Sequence, residues 1–262
     1  MQAATLSPQP APQILWVEVD NLVIDDRYQR PLNAGNRAAI RRIATTFRWS
    51  RFTPVIVAPI EGGRYALIDG QHRAHAAALC GITSIPAMVA LVAPEEQAQA
   101  FIEINTRQIR VRTQSIYRAA LTAGDDWAIR AQAAVSAAGC QLMTANFSTK
   151  HKKPGMVFAV DLIRRMIELK RDAAVTAGLA ALMDYDPTSV PNFANTLLTP
   201  WLSAVAETKA GSDELVEVLK ARRPWLVIEA ADRMADEDKK PKAQMRRDFF
   251  VTSIRKFRED AA

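Results

Sequence analysis

The residues best suited to chemistry lie where a predicted strand turns through glycine into a predicted helix. The strand covers residues 65–68, and it is followed by Asp69, Gly70, Gln71, His72 and Arg73. A helix N-terminus presents N–H groups without intrahelical acceptors and carries partial positive charge. Arg73 adds a forked cation, and His72 adds a further hydrogen-bond donor. The pattern favours a phosphate-binding site, although many strand–glycine–helix turns bind nothing.

Each of these side chains also has a structural interpretation. Asp69 is predicted to cap the helix, and the alternative is that it contacts a sugar or holds a metal on a phosphate. Arg73 is predicted to bind an anion, with an ion pair to Asp69 or Glu103 as the alternative. His75, one turn further along, is expected to pack rather than to react. Glu103 is more often a solvated charge than a general base.

A second group of residues has the character of a polyanion-binding surface. A predicted amphipathic helix over residues 36–47 carries several arginines, and a basic run follows much later in the chain. Dispersed cations on one face are enough to bind a nucleic-acid backbone, whereas a solvated helix face is the equally acceptable alternative. The candidate DNA-contacting residues are Arg37, Arg41, Arg42, Arg48, Lys150, Lys152 and Lys153.

The elements that must position these residues alternate between strands and helices in the first part of the chain. Strands are predicted over residues 14–19, 22–24, 55–58, 65–68 and 87–92, and helices over residues 36–47, 71–80 and 94–105. Gly62 and Gly63 predict a hairpin turn between two of the strands. Gly81 is predicted to close the helix that begins at Gln71. Residues 82–86 are expected to form a connector.

Beyond residue 112 the strand signals fade, and helical windows follow one another. They cover residues 114–123, 125–138, 155–170, 172–183, 193–209, 213–221, 225–234 and 243–257. We therefore predict an α+β fold in which a small mixed-sheet domain precedes an all-helical domain. The predicted boundaries are a disordered lead-in over residues 1–13, a first domain over residues 14–112 and a helical domain over residues 113–262.

Composition excludes several classes of protein. The chain has 262 residues, of which 49% are hydrophobic and 24% are charged, so it can bury a substantial core. The two cysteines, Cys80 and Cys140, are too few for a disulfide framework and too far apart for a CxxC site. No P-loop, GxSxG elbow or HExxH helix occurs. A formal net charge of +6 permits a polyanionic partner. The absence of a signal-like start and of an unbroken apolar run of about 20 residues predicts a cytoplasmic protein without a membrane span.

The order of these motifs resembles the N-terminal domain of the ParB/sulfiredoxin superfamily over residues 14–112. The resemblance rests on the segments 21–24, 28–31, 52–57, 65–73 and 81–86, together with the arginine-bearing helix. It implies a nucleotide triphosphate held at a box that resembles glycine-glutamate-arginine-arginine. In this sequence the matching residues are Gly70, Gln71, His72 and Arg73.

Two further boxes of the ParB branch resemble segments of this chain. Gln29 and Arg30 are similar to a glutamine-proline-arginine box, with the proline displaced to Pro31. Residues 103–107 are similar to a glutamate-asparagine-x-x-arginine box, with the asparagine shifted by one position. The resemblance thereby implies nucleotide-binding roles for Arg30, Asn105 and Arg107.

The pentapeptide from Asp69 to Arg73 is most similar to the ParB-like subgroup that is named DGQHR after it. That subgroup includes proteins associated with DNA modification systems and mobile elements, and Ile104 and Asn105 resemble a pair that recurs in it. In the sulfiredoxin branch a cysteine nucleophile stands at the position of Gln71. An amide cannot become a thiolate, so sulfiredoxin chemistry is excluded.

The function predicted from these features is nucleotide-dependent DNA association, with ATP or CTP and Mg²⁺ as the expected cofactors. Slow nucleotide hydrolysis is compatible with the resemblance. One alternative is a metal-dependent nuclease, in which Asp69 and Glu103 would be the catalytic carboxylates. Another is a non-enzymatic adaptor with a vestigial pocket. DNA and nucleotide are the expected partners, with a homodimer and a protein partner for the helical domain as further expectations.

Overall fold

The computed structural model describes residues 10–25, 33–106 and 111–261, with the backbone alone described at Pro94, Glu95, Asn105 and Ala261. Within it the chain divides into two compact units, Met1–Ile109 and Arg110–Ala262. Most of the predicted lead-in lies outside the described residues, but Gln13 already belongs to the first strand.

The first unit is built on a mixed five-stranded sheet. Its strands are β1 (Gln13–Glu18), β2 (Leu22–Val23), β3 (Val55–Ile60), β4 (Arg64–Asp69) and β5 (Ser84–Val89), in the spatial order β1-β5-β3-β4-β2. β1 and β5 are antiparallel, as are β3 and β4, whereas β3 pairs with β5 and β2 with β4 in parallel. The central strand β3 carries Val55 and Val57, which are fully buried in the core of this unit.

Three helices belong to this unit, α1 (Ala34–Thr45), α2 (Gln71–Leu79) and α3 (Pro94–Thr106). α1 begins two residues earlier than predicted, because the Asn33 side chain accepts a hydrogen bond from the Asn36 N–H at 2.9 Å and caps it. α1 packs against α2, and α3 packs against β4. Ala74 and Ala77 of α2 pack against the core that includes Val55 and Leu67.

The glycines of this unit form the turns that the sequence predicts. Gly62 and Gly63 have positive φ angles of 76° and 71° and connect β3 to β4, which confirms the predicted hairpin. Gly81, at φ 73°, follows the end of α2. Its N–H donates to the Ala78 carbonyl, and the Ile82 N–H donates to the Ala77 carbonyl, both at 3.0 Å. This paired geometry is a Schellman motif, and it confirms Gly81 as the helix stop.

The connector predicted over residues 82–86 is shorter than expected. β5 begins at Ser84, which pairs with Glu18, and Ile85 pairs with Val17. Ile85 is fully buried in this pairing. Pairing with β1 therefore extends the strand through a segment whose Ser and Pro residues favour a turn on local grounds.

The second unit is largely helical. It contains α4 (Thr113–Thr122), α5 (Asp126–Ala137), α6 (Val160–Glu168), α7 (Asp172–Tyr185), α8 (Asn195–Thr208), α9 (Ser212–Ala221), α10 (Pro224–Asp238) and α11 (Lys242–Ala261). The predicted α+β class, with a mixed-sheet part followed by a largely helical part, is confirmed. The second part is not wholly helical, because β6 (Gln141–Leu142) pairs in parallel with β7 (Met156–Val157).

That short strand pair also corrects one predicted helix. The window over residues 155–170 becomes helical only at Val160. Gly155 has a φ of 78°, which is outside the helical region, and the next two residues belong to β7. Two-residue strands are too short to show the alternation by which strands are recognised in sequence.

One core holds the helices of the second unit together. Trp201 of α8 is fully buried, and its indole N–H donates to the Gly178 carbonyl of α7 at 2.8 Å. The Trp201 ring also meets Phe250 of α11 edge to face. None of the helices in the described ranges is long and apolar enough to cross a lipid bilayer.

Candidate functional site

Gly70 makes the junction between β4 and α2 possible. It is the N-cap residue of α2 and has a φ of 102°, a conformation that L side chains rarely adopt. A Cβ at this position would lie 2.7 Å from Cγ1 of Val55 and 2.9 Å from a terminal nitrogen of Arg73. The backbone therefore turns from strand to helix in a space that only glycine fits, and the first N–H groups of α2 follow directly.

Asp69 does not cap α2, because the N-cap position belongs to Gly70. Asp69 is instead the last residue of β4, and its carboxylate accepts a hydrogen bond from Arg73 at 3.4 Å. The alternative prediction for Arg73, an ion pair with Asp69, is thus present in the structure. The same Arg73 nitrogen donates to the Pro54 carbonyl at 3.3 Å.

The Arg73 guanidinium is held only loosely by these contacts. Both distances are at the long end of the hydrogen-bond range. The Nε of Arg73 is buried and has no hydrogen-bond partner in the described part of the chain. One donor of this cation is thus unsatisfied, and the other contacts are weak.

The start of α2 opens into a cleft of about 550 Å³. Its floor is the β4–α2 junction, from Ile68 to Arg73. Its remaining walls come from α1 and α3, through Asn36, Ile43, Phe101, Ile102 and Thr106. The four predicted phosphate-binding residues Gly70, Gln71, His72 and Arg73 therefore line one cavity together with Asp69.

The walls from α1 and α3 were not among the predicted site residues. A weak signal for Asn36 is present in the sequence. It shares one helix face with Ile40 and Ile43, at spacings of four and seven residues, and it is the polar member of that apolar stripe. Phe101 and Ile102 show no comparable signal, because apolar residues on a helix ordinarily pack in a core.

His72 and His75 lie one turn apart on α2, and both the burial of His75 and its neighbour affect its pKa. Burial lowers the pKa of His75 below its usual value of 6.5, and the charge of His72 lowers it further. The Nε2 of His75 is buried without a hydrogen-bond partner in the described residues. His75 is therefore a partly buried, packed side chain, as expected, whereas His72 lines the cleft.

The remaining predicted nucleotide-site and catalytic residues are only partly described. Arg30 and Arg107 lie outside the described residues, and Asn105 is described by its backbone alone, in the last turn of α3. Glu103 of α3 accepts a hydrogen bond from Gln99 at 3.2 Å. Unlike Asp69, it is not among the described side chains that line the cleft. No group of three His, Cys, Asp or Glu side chains converges within the described ranges.

The candidate DNA-contacting residues fall into two groups. Arg37 and Arg41 are exposed on one face of α1, four residues apart, and Arg42 is exposed beside them. None of these three pairs with a carboxylate among the described residues. In the second unit, Lys150 and Lys153 are exposed, whereas the ammonium of Lys152 lies 4.8 Å from the centre of the Phe158 ring.

Comparison with known proteins supports one family for the first unit. Residues 9–106 match the family model of the ParB N-terminal domain. No curated protein matches the chain significantly.

Several solved structures also match. One is the C-terminally truncated chromosome-partitioning protein ParB from Caulobacter crescentus complexed with CTP-γ-S, which has 12% identity over 81% of this chain and 94% of that one, with a TM-score of 0.37. Another is a Pnob8-like ParB-N domain, with 13% identity over 95% and 97% of the two chains and a TM-score of 0.31. Identities and TM-scores this low do not assign a family, so the classification rests on the family model and on the mixed sheet. Residues 9–106 of this chain are a ParB N-terminal domain.

Proposed function

We propose that the protein is a nucleotide-dependent DNA-binding protein whose cleft holds the phosphates of ATP or CTP. The observation that carries the proposal is the junction at Gly70. There, the N-terminus of α2 opens into a cleft that Gln71, His72 and Arg73 also line. Backbone N–H groups at a helix start, a positive dipole end and a guanidinium together form an anion-binding environment.

The size and the walls of the cleft suit a nucleotide. A volume of about 550 Å³ lies within the range of small-molecule sites. The junction supplies polar groups for phosphates, while Ile43, Phe101 and Ile102 supply an apolar wall against which a base can pack. The polar and apolar ends of a nucleotide thus have separate counterparts in the same cavity.

Arg73 is the residue that we expect to change partner when phosphate binds. Its guanidinium contacts Asp69 and the Pro54 carbonyl at 3.3–3.4 Å. A triphosphate offers shorter, charge-assisted contacts to the same donors. Because the existing contacts are weak, their loss costs little, and Arg73 can move from Asp69 to the ligand.

DNA contact is assigned in this proposal to the exposed arginines of α1 and to Lys150 and Lys153. These cations lack carboxylate partners in the described part of the chain, so no ion pair has to break before they meet phosphate. Lys152 contributes less, because its ammonium lies over the Phe158 ring. Binding through dispersed cations is sensitive to salt and largely independent of sequence.

Calorimetric titration of ATP and of CTP, each with Mg²⁺, into the protein and its Arg73→Ala variant tests the nucleotide site. We expect one nucleotide to bind to the wild type and binding to be lost in the variant. Arg64→Ala is the matched control, since Arg64 is an exposed arginine of the same unit that does not line the cleft. Thermal unfolding of each variant verifies that it is folded.

Two results would overturn the proposal. If neither nucleotide binds, with or without DNA, the cleft does not hold a nucleotide, and the result favours a non-enzymatic adaptor with a vestigial pocket. If plasmid DNA is cut in the presence of Mg²⁺ or Mn²⁺, and Asp69→Asn abolishes the cutting, the nuclease hypothesis replaces nucleotide-dependent association.

A further inference from the structure

An exposed group of aromatic rings lies on the first unit and plays no part in the cleft. It consists of Trp16 of β1 and of Phe47, Trp49 and Phe52, which follow α1, and we call these four residues the aromatic platform. Trp16 is 65% exposed and Trp49 is 49% exposed. Large aromatic side chains usually bury most of their surface in a folded domain. Two neighbouring exposed indoles are therefore typical of a binding surface.

Ring-to-ring contacts hold the aromatic platform in place. Trp49 meets Phe47, Phe52 and Trp16 at centroid distances of 5.1, 5.6 and 5.6 Å, each edge to face. Phe47 and Phe52 are half-buried and pack against the core of the unit. Trp49 is therefore connected to the core through Phe47 and Phe52, and Trp16 packs against Trp49.

Cations flank the exposed rings. In the segment from Phe47 to Phe52, the two phenylalanines point towards the core, while Arg48, Trp49 and Arg51 are exposed. Neither Arg48 nor Arg51 pairs with a carboxylate among the described residues. The exposed Trp49 ring therefore lies between two exposed arginines at a short 3-10 turn, Trp49–Arg51.

This combination distinguishes a nucleic-acid strand from an apolar protein partner. Unpaired bases stack on aromatic side chains, and the phosphates between them are met by arginines. An apolar protein surface would leave the charges of Arg48 and Arg51 without counterparts. Bases in a duplex already stack on one another and present no free face at this surface.

We propose that the aromatic platform, with Arg48 and Arg51, binds an unpaired segment of nucleic acid by stacking its bases on Trp16 and Trp49. The proposal does not rest on the nucleotide site, because none of these residues lines the cleft. The proposed function includes DNA binding in general. The aromatic platform would add a preference for single strands, through residues of the first unit.

The test measures binding of the full chain to a fluorescein-labelled oligothymidine of 12 nucleotides and to a duplex of the same length, by anisotropy and without added nucleotide. We expect Trp16→Ser to weaken oligothymidine binding about tenfold and to leave duplex binding unchanged. Trp16→Tyr should retain most of the affinity, since a phenol ring also stacks. Leu79→Ser is the control, because Leu79 is 64% exposed in the same unit and lies outside the platform.

Intrinsic fluorescence supplies a second readout at the site itself. The chain has five tryptophans, and Trp127, Trp201 and Trp225 all belong to the second unit. Stacking of bases on Trp16 and Trp49 should quench part of the emission, and Trp16→Ser should lose much of that quenching.

The proposal is overturned if Trp16→Ser leaves oligothymidine affinity unchanged while the variant remains folded. It is equally overturned if the variant weakens single strand and duplex to the same extent. A third contrary result is a wild-type dimer that Trp16→Ser converts to a monomer with no change in oligonucleotide binding. In that case the platform is a contact between copies of the chain.

Discussion

Asp69 and Arg73 form an ion pair, and both residues line the cleft. Their contact joins the end of β4 to the first turn of α2, and both side chains are partly exposed to the cleft, at 22% and 28%. The Asp69 carboxylate offsets the charge of Arg73, and in the proposed nucleotide site it would compete with phosphate for the same donors. On that proposal, the affinity for phosphate depends on both residues.

The Asp69→Asn variant tests this competition. The amide keeps the shape of the side chain but removes its negative charge, so we expect ATP or CTP to bind about fivefold more tightly when Mg²⁺ is chelated. Calorimetry in EDTA measures the change. Glu103→Gln is the control, and its affinity should equal that of the wild type. Weaker binding by Asp69→Asn in EDTA would show that Asp69 contacts the nucleotide favourably.

His75 makes a pH-dependent contribution to stability. Its pKa in the folded protein is lowered, chiefly by burial and also by the charge of His72. The unfolded chain therefore takes up a proton at a higher pH than the folded protein does. Stability from this residue is complete above about pH 6.5 and is lost as the pH falls below that value.

Thermal unfolding between pH 7.5 and 5 measures this effect. We expect the melting temperature of His75→Leu to fall less with decreasing pH than that of the wild type, since the leucine cannot be protonated. The His75 ring should also titrate with a midpoint below 6.5 by NMR. Parallel pH profiles for the two proteins would contradict the assignment.

At the scale of the element, the β4–α2 junction depends on a single backbone conformation. Gly70 has a φ of 102°, and Val55 and Arg73 occupy the space in which a side chain would begin. Crowding from the neighbouring strand and the cost of the backbone angle act together here, whereas at Gly81 only the backbone angle matters. Gly81 has a φ of 73°, and apart from its chain neighbours no described residue comes within 4 Å of a Cβ built there.

Gly70→Ala and Gly81→Ala separate these two costs. We expect Gly81→Ala to lower the free energy of unfolding by about 1 kcal/mol, from backbone strain alone. Gly70→Ala should lower it by about 2–4 kcal/mol, because Val55 and Arg73 must also shift. Urea denaturation measures both. Equal losses for the two variants would mean that the crowding at Gly70 is relieved without cost.

At the scale of the whole molecule, charge governs the expected DNA binding. The net charge of +6 comes from basic residues mixed with 28 acidic residues, so long-range attraction alone does not locate a surface. In the proposed function, that surface is marked by exposed cations that have no carboxylate partner among the described residues. Arg37 and Arg41, four residues apart on one face of α1, are one such pair.

The salt dependence of duplex binding tests that pair. If both arginines contact phosphates, Arg37→Gln combined with Arg41→Gln should reduce the slope of log affinity against log salt by about 2. Arg64→Gln should leave the slope unchanged. Filter binding or anisotropy between about 50 and 200 mM salt gives the measurement. An unchanged slope in the double variant would remove α1 from the DNA-contacting surface.

The features of the first unit that follow from nearby residues were predictable from the sequence. The glycine hairpin, the end of α2 at Gly81 and the strand–glycine–helix junction all depend on backbone angles that glycine permits and other residues resist. The helices of the second unit were likewise predictable, because apolar residues recur at helical spacing within each window. Both kinds of pattern, the glycine positions and the spacing of apolar residues, involve only residues that are close together in the sequence.

Other features needed the tertiary structure, because they depend on residues that are distant in the chain. β5 extends to Ser84 through pairing with β1, and β6 and β7 exist only through each other. Gly70 rather than Asp69 occupies the N-cap of α2, since Asp69 is drawn into the end of β4 and towards Arg73.

The sequence by itself determined the residues of the β4–α2 junction and the mixed-sheet domain that contains them. Only the tertiary structure decided that α1 and α3 complete a cleft over that junction, and that Trp16 joins Trp49 in the aromatic platform. The physical reason is that residue type sets local backbone conformation, whereas a cavity or a ring cluster arises where elements far apart in the chain pack together.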